Sequence, residues 1–128
     1  GVTAVFIGKG SCDPYNPKVV RSTMGAIFRV PFVMCDDLPE IVEELRRSGV
    51  VVYGAHLDGD DLYDIGFPDR VAFLIGNEGN GLTDEVACRA DRLLRIPMEG
   101  KVESLNAAIS ATLLSYEVMR QRRRDRQN

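Results

Sequence analysis

Residues 96–115 read IPMEGKVESLNAAISATLLS, and this stretch determines how the rest of the chain is interpreted. It begins in an apolar run, residues 93–98, passes through a polar loop, residues 99–104, and continues as a helix that we expect to begin at Leu105. The first N–H groups of a helix have no partner inside the helix, and the helix dipole favours electron-rich groups there. A polar loop that leads from a buried strand into such a helix is therefore a candidate ligand site.

The loop and the start of the helix carry five polar side chains: Glu99, Lys101, Glu103, Ser104 and Asn106. Ser104 has two interpretations, since serine is a preferred N-cap and can equally contact a ligand. Asn106 in a first helical turn indicates a local hydrogen bond or a ligand contact. The residues alone leave a structural and a functional role open for both side chains.

A second segment, residues 76–82 with the sequence GNEGNGL, joins an apolar run to a short helix. Its three glycines are costly to order, are more than a tight turn needs, and bracket Glu78. Ligands bind at the carboxyl ends of strands in open α/β sheets, which favours a ligand loop over a plain turn. The spacing is not G-x-G-x-x-G and no P-loop Lys-Ser/Thr follows, so the usual modes of phosphate binding are unsupported.

The chain alternates apolar, strand-like runs with helical patterns. The predicted strands are residues 2–7, 30–34, 50–55, 71–75 and 93–98, of which the first is expected to be buried. Predicted helices follow the N-caps Asn16 and Asp37, begin at Thr83, and occupy residues 105–124 at the end, while residues 56–68 form a polar, acidic connection. This alternation predicts an α/β fold with a mostly parallel sheet flanked by helices.

The final helix carries an apolar stripe at helical spacing, formed by Leu105, Ala108, Ile109, Thr112, Leu113 and Tyr116 and widened by Ala107, Ala111 and Leu114. We expect this stripe to be buried. Its small residues permit close packing against the sheet or against a second subunit. Five arginines between residues 120 and 126 form a basic tail, which we interpret as a solvated helix end because cations suit a helix C-terminus.

The composition excludes several kinds of protein. The 128 residues suit one domain, and the net charge of −3 means that any RNA binding requires a local patch. Three cysteines without C-x-x-C spacing and a single histidine, His56, argue against a metal site and for a reducing, cytoplasmic compartment. No apolar run approaches the ~20 residues of a membrane-spanning helix, so we expect neither a metal nor a membrane.

Three segments in order resemble the SpoU-type (TrmH-like) RNA 2′-O-ribose methyltransferases of the SPOUT superfamily: NPKVVRSTMGAIFRVP at 16–31, FLIGNEGNGL at 73–82 and IPMEGKVESLNAAISA at 96–111. The similarity covers nearly the whole chain, and the second and third segments are its most specific part. The resemblance implies S-adenosylmethionine as cofactor, RNA as substrate with rRNA favoured over tRNA, a homodimer with the last helix near its interface, and a C-terminal trefoil knot. The residues themselves would not predict a knot, because true knots are very rare.

The resemblance also assigns roles to individual residues. The cofactor-binding residues are Gly76, Ile96, Met98 and Leu105, which are expected to contact the cofactor largely through the backbone. The catalytic residues are Asn106, Ser104 and Glu78. Asn106 and Ser104 would orient groups around the cofactor and the incoming ribose, and Glu78 would orient or polarise the site. The chemistry needs no metal, since the methyl group sits on a sulfonium.

The family's hydroxyl-activating arginine belongs to an earlier motif, N-x-G-x-x-x-R, which this sequence does not contain. The chain starts at Gly1 without a methionine, so we interpret residues 1–128 as a SpoU-type methyltransferase domain that is truncated at its N-terminus and is a weak or inactive catalyst alone. One alternative is a non-catalytic SPOUT-like module that binds cofactor or RNA. Another, independent of the resemblance, is a generic nucleotide-binding α/β domain.

Overall fold

The structure is a computed structural model and describes residues 1–102 and 104–128. Glu103, a polar residue of the predicted site loop, lies outside the described residues. The described strands are β1 (Val5–Ile7), β2 (Phe32–Met34), β3 (Val51–Asp61), β4 (Val71–Leu74) and β5 (Arg92–Arg95), and the α-helices are α1 (Pro17–Ser22), α2 (Leu38–Arg47), α3 (Asp84–Ala87) and α4 (Ala107–Gln127). The chain divides into two compact units, Gly1–Ile41 and Val42–Asn128.

The first unit contains a parallel pair, β1 and β2, with Phe6 and Val33 as register partners. Both of these side chains are exposed, so the prediction of a buried first strand is wrong. Burial of a strand depends on what covers the sheet, and the sequence of the strand does not contain that information. The predicted strand over residues 30–34 begins later, after Pro31, whose missing N–H suits a position at the strand's start.

The starts of α1 and α2 follow the predicted caps. Asn16 Oδ1 accepts the N–H of Lys18 at 2.9 Å, and Asp37 Oδ1 accepts the N–H of Glu40 at 3.1 Å. Thr83 caps α3, which ends at Ala87. Capping is encoded by a few adjacent residues, and for this reason the caps of α1 and α2 could be predicted from the sequence.

The second unit contains a three-stranded parallel sheet in the order β4–β3–β5. The parallel arrangement is confirmed, although the strands form two sheets where we expected one. Strand β3 continues to Asp61, so the start of the predicted acidic connection is strand, with a register shift between Ala55 and Asp60. The backbones approach so closely here that a Cβ on Gly59 would lie 2.4 Å from the amide nitrogen of Leu94.

Strand β5 ends at Arg95, earlier than predicted, because Pro97 has no N–H with which to continue the ladder. Ile96 and Met98 therefore follow the strand. The core of this unit contains Tyr53 of β3, Leu94 of β5 and Leu114 of α4, all buried. The sheet and the helix that carry the candidate site are thus held by one apolar cluster.

Helix α4 begins at Ala107, so the prediction of a helix start at Leu105 is wrong. Its N-cap is Asn106, which excludes the N-cap interpretation of Ser104. Most of the stripe predicted to be buried is not: Ala108, Ile109, Thr112 and Tyr116 are exposed, and Leu105 and Leu113 are half-buried. Of the residues that widen the stripe, Leu114 is buried, and Ala107 and Ala111 are half-buried. The buried residues are Leu114, Glu117, Val118 and Gln121. Two of these are polar and hydrogen-bonded, so a search for an apolar stripe selects the wrong face.

Candidate active site

The loop after β4 is a closed turn built around Asn77. The backbones of Asn77 and Gly81 exchange two N–H···O hydrogen bonds, 3.2 and 2.8 Å long, and Asn77 Oδ1 accepts the N–H of Gly79 at 2.8 Å. Gly81 has a φ of +66°, which favours glycine. The turn thereby presents Glu78 from a loop whose own backbone is largely hydrogen-bonded.

Gly76 lies where this turn closes back on the end of β4. A Cβ at this position would lie 2.2 Å from the carbonyl carbon of Gly81 and 2.4 Å from the amide nitrogen of Leu82, both backbone atoms. Only a residue without a side chain fits this approach. The glycine is needed for close contact between two backbone segments, and that contact fixes one wall of the site.

A cavity of about 370 Å³ lies between the two loops that the sequence singled out. Six of the seven predicted site residues line it: Gly76, Glu78, Ile96, Met98, Ser104 and Leu105. They come from the end of β4, from the segment after β5 and from the approach to α4. The parallel sheet brings these separate segments together because the carboxyl ends of its strands lie at one edge.

The seventh residue, Asn106, joins the two loops. Its Nδ2 donates a hydrogen bond to Glu78 Oε1 at 3.0 Å. Its Oδ1 accepts the N–H groups of Ala108 and Ile109 at 2.9 and 3.3 Å, which caps α4. The cap fixes the amide's orientation, so that its NH₂ group points to the Glu78 carboxylate.

Other polar side chains also line the cavity. Asn77 and Asn80 lie in the predicted ligand loop, whereas His56, Arg95 and Ser110 were not selected from the sequence. His56 and Arg95 stand beside register partners on adjacent strands, Ala55 and Leu94. A search for polar residues where the third predicted strand ends would have found His56. Arg95 lies inside the predicted fifth strand and could be found only once the true end of β5 was known. Ser110 could be found only once the true start of α4 was known.

The acidic segment near residue 60 is engaged in local structure. Asp60 Oδ2 accepts a hydrogen bond from Arg92 Nη2 at 2.7 Å, and Asp61 Oδ1 accepts the N–H of Tyr63 at 2.9 Å.

Among the described residues there is no group of three or more His, Cys, Asp or Glu side chains that could hold a metal ion. Within the same residues, no helix is both long enough and apolar enough to cross a bilayer.

The sequence pattern that defines the SpoU rRNA Methylase family matches residues 1–116. The chain belongs to the SpoU rRNA methylase family. A relative in Bacillus subtilis (strain 168), a 23S rRNA (guanosine(2553)-2'-O)-methyltransferase, is 38% identical over 119 residues. The match covers 92% of this chain and 48% of the relative.

Solved structures of SpoU and related methyltransferases have the same fold. The SpoU methyltransferase AviRb from Streptomyces viridochromogenes, in complex with the cofactor AdoMet (S-adenosylmethionine), superposes with a TM-score of 0.82 at 37% identity, over 91% of this chain and 46% of that one. A structure described as giving insight into 2-OH methylation of C/U34 on tRNA has a TM-score of 0.80 at 30% identity, covering 91% and 76%. The chain spans about half the length of the curated relatives it matches.

Proposed function

We propose that residues 1–128 act as one domain, the cofactor-binding and catalytic domain of an S-adenosylmethionine-dependent RNA 2′-O-ribose methyltransferase. The observation that carries the proposal is the Asn106–Glu78 hydrogen bond, which links the two family motifs at the wall of a single cavity. Membership of the SpoU family supports the reaction class. The relatives that the chain matches act on ribosomal or transfer RNA, and we favour rRNA because of the B. subtilis relative.

The cavity suits the proposed cofactor in size and lining. Its volume of about 370 Å³ is within the range of roughly 300–1,000 Å³ typical of small-molecule sites. Ile96, Met98 and Leu105 supply apolar walls, and Gly76 offers backbone without a side chain. When bound, S-adenosylmethionine supplies a methyl group on a sulfonium, which needs no metal. We assign these four residues to its binding.

The polar residues are proposed to prepare the acceptor side of the reaction. The other carboxylate oxygen of Glu78, Oε2, has no hydrogen bond within residues 1–102 and 104–128, so it can accept one from a ligand or face a positive charge. Ser104 lines the same cavity and has a hydroxyl that both donates and accepts. Asn106 holds Glu78 in place. Ordered groups of this kind align a weak nucleophile, a ribose hydroxyl, with the methyl group.

Proton removal from the ribose hydroxyl requires a group that we do not assign to this chain. The motif N-x-G-x-x-x-R, whose arginine the family resemblance links to this step, does not occur in residues 1–128. We therefore propose that the chain binds the methyl donor but turns over slowly by itself, and that a protein containing the motif would be fully active.

The three cysteines are free, two of them exposed, which supports a reducing, cytoplasmic location.

We further propose that the segment from β4 to α4 forms the trefoil knot implied by the family resemblance. The support is that β5, although it follows β4 in the chain, pairs with β3. The loops on either side of β5 then line the same cavity. An experimental structure that traces residues 71–127 would test the threading of the chain directly.

A homodimer is proposed through the outer face of α4. Ile109, Tyr116 and Met119 are exposed there, with Tyr116 61% exposed, so the stripe that was expected to be buried is available to a second copy. Large apolar side chains grouped on one helix face are typical of an interface. The basic residues that follow on the same helix would then lie at the edge of the dimer.

Calorimetry and a methyl-transfer assay test the proposal together. S-adenosylmethionine should bind, while ATP and NAD should not, and binding of either nucleotide instead would favour a generic nucleotide-binding domain. Labelled methyl transfer to RNA separates an enzyme from a non-catalytic module, the second candidate, which the missing arginine motif favours. If the chain extended upstream by the arginine motif is no more active than residues 1–128, our account of the slow turnover is wrong.

A further inference from the structure

Strands β3 and β5 are adjacent in the sheet, and each carries a hydrogen-bond donor, His56 and Arg95, next to a residue of one register pair. His56 directly follows Ala55 on β3, Arg95 directly follows Leu94 on β5, and Ala55 and Leu94 are register partners. The register shifts between Ala55 and Asp60, so that Arg95 itself pairs with Asp61, whose Oδ1 accepts the N–H of Tyr63. The side chains of His56 and Arg95 line the cavity that also contains Glu78. Two neighbouring parallel strands therefore each supply a nitrogen-bearing side chain to the wall of one cavity.

The Arg95 guanidinium has no hydrogen-bond partner among the described residues. Within residues 1–102 and 104–128 its side chain has no hydrogen bond and no ion pair, whereas Arg92 on the same strand is held by Asp60 at 2.7 Å. Arginine carries five N–H donors, no acceptor, and a permanent positive charge. An exposed arginine without a partner on a cavity wall is thus available to a ligand.

His56 offers a second donor. Its Nδ1 accepts the N–H of Asp58 at 3.2 Å, which assigns the proton of the neutral ring to Nε2. The nitrogen that remains for a ligand therefore donates and does not accept. The Asp58 carboxylate lies near the His56 ring, with Oδ2 3.8 Å from Nδ1, and is largely exposed to solvent. Arg95 and His56 together present donors and positive charge, and an anionic oxygen group complements both.

We propose that Arg95, with His56 beside it, binds an oxyanion of the ligands that enter this cavity. The inference rests on the proposed function, under which two ligands carry such a group: the methionine carboxylate of S-adenosylmethionine and a backbone phosphate of the RNA. The planar guanidinium fork matches either group with two parallel hydrogen bonds. Glu78, a carboxylate of the same cavity, would repel an oxyanion. We therefore assign the negatively charged group of a ligand to Arg95 and a positively charged or hydrogen-bond-donating group to Glu78.

Two cofactor analogues distinguish the sources. S-adenosylmethionine carries the carboxylate, and 5′-methylthioadenosine lacks the whole aminocarboxylate part. If Arg95 binds the carboxylate, Arg95→Ala raises the Kd for S-adenosylmethionine about tenfold and leaves that for 5′-methylthioadenosine unchanged. Arg95→Lys restores part of the affinity, since it keeps the charge without the fork. Arg92→Ala, from the same strand, is the matched control and should change neither Kd.

If Arg95 binds a phosphate, Arg95→Ala leaves both calorimetric Kd values unchanged and weakens binding of a short single-stranded RNA, measured by fluorescence anisotropy. The dependence of that binding on salt should also become shallower. An Arg95→Ala protein that binds all three probes like the wild type overturns the inference while the proposed function stands. A wild-type chain that binds neither S-adenosylmethionine nor 5′-methylthioadenosine overturns the proposed function, and the inference with it.

Discussion

Asn106 Nδ2 and Glu78 Oε1 are joined by a hydrogen bond of 3.0 Å, although the two residues lie on loops separated by β5. The same asparagine caps α4 through Oδ1. The orientation of the Glu78 carboxylate is therefore tied to the start of a 21-residue helix that is anchored in the core by Leu114. A site held in this way is ordered before a ligand arrives, which lowers the entropic cost of binding.

Replacement of Asn106 by aspartate separates its two contacts. Aspartate is an equally good N-cap, so α4 should start normally, but the donor to Glu78 becomes a like-charged oxygen. We expect Asn106→Asp to melt near the wild-type temperature while its S-adenosylmethionine affinity falls about tenfold. Asn106→Ala loses cap and link together and should be destabilised by about 1 kcal/mol as well. Calorimetry and thermal denaturation measure the two effects independently.

The double variant Glu78→Gln with Asn106→Asp reverses the direction of the hydrogen bond. The glutamine NH₂ at position 78 can then donate to the aspartate at position 106. The hydrogen bond between the loops is restored, and the negative charge lies at position 106 instead of position 78. If Glu78 serves only to join the loops, cofactor binding recovers relative to Asn106→Asp. We expect no recovery, because a carboxylate at position 78 is proposed to face the ligand. Full recovery in calorimetry would contradict that role.

Gly76 provides a test of the loop closure. In Gly76→Ala the new methyl group would meet backbone atoms of Gly81 and Leu82 well inside contact distance, so the turn must move. We expect a loss of about 1–3 kcal/mol in stability together with loss of cofactor binding. Gly79→Ala is the matched control, because its Cβ would meet only the Asn77 side chain, at 3.4 Å. Equal effects of the two variants would rule out the close approach as the cause.

Local signals explain which parts of the fold could be predicted. The caps at Asn16 and Asp37 and the alternation of strands with helices depend on short stretches of sequence, and they were predicted correctly. The continuation of β3 was missed because it depends on Gly59 approaching β5, which lies more than thirty residues further along the chain. The exposure of β1 was missed because burial depends on covering elements that a strand's own sequence does not specify.

The grouping of the candidate site residues was predicted better than the buried face of α4. Glycines and polar residues at the carboxyl ends of predicted strands indicated both loops, and the structure brings them together around one cavity. The face of α4 was wrong because its inner side carries Glu117 and Gln121, which hydropathy treats as surface residues. Gln121 is hydrogen-bonded to the backbone of Ile65 and Phe67, at 2.8 and 2.9 Å, and this non-local pairing offsets the cost of burying it.

The exposed face of α4 leads to a prediction about assembly. Sedimentation equilibrium of the wild type should show a dimer, and Tyr116→Glu should shift it towards monomer, because a charge would be buried at the proposed interface. Val2→Glu, which alters another half-exposed apolar residue, is the control and should remain dimeric. A wild type that remains monomeric at high concentration would contradict the proposed interface.

The buried Glu117 makes stability depend on pH. Arg120 donates from Nε and Nη2 to its two carboxylate oxygens, at 2.8 and 2.7 Å, and these hydrogen bonds lower the pKa of Glu117 more than burial raises it. Because the folded-state pKa lies below the unfolded value, the stabilisation is fully present above a pH of about 4.5 and is lost as the pH falls through the folded-state pKa. The free energy of unfolding of Glu117→Gln should therefore lie below that of the wild type at neutral pH, and the difference should vanish in acid.

Glu44→Gln, on the exposed side of α2, is the matched control, and its free energy of unfolding should depend on pH as that of the wild type does. Urea denaturation across the acid range measures all three proteins, and a constant gap between Glu117→Gln and the wild type down to the lowest pH would show that the Arg120 hydrogen bonds do not hold this carboxylate in its charged form.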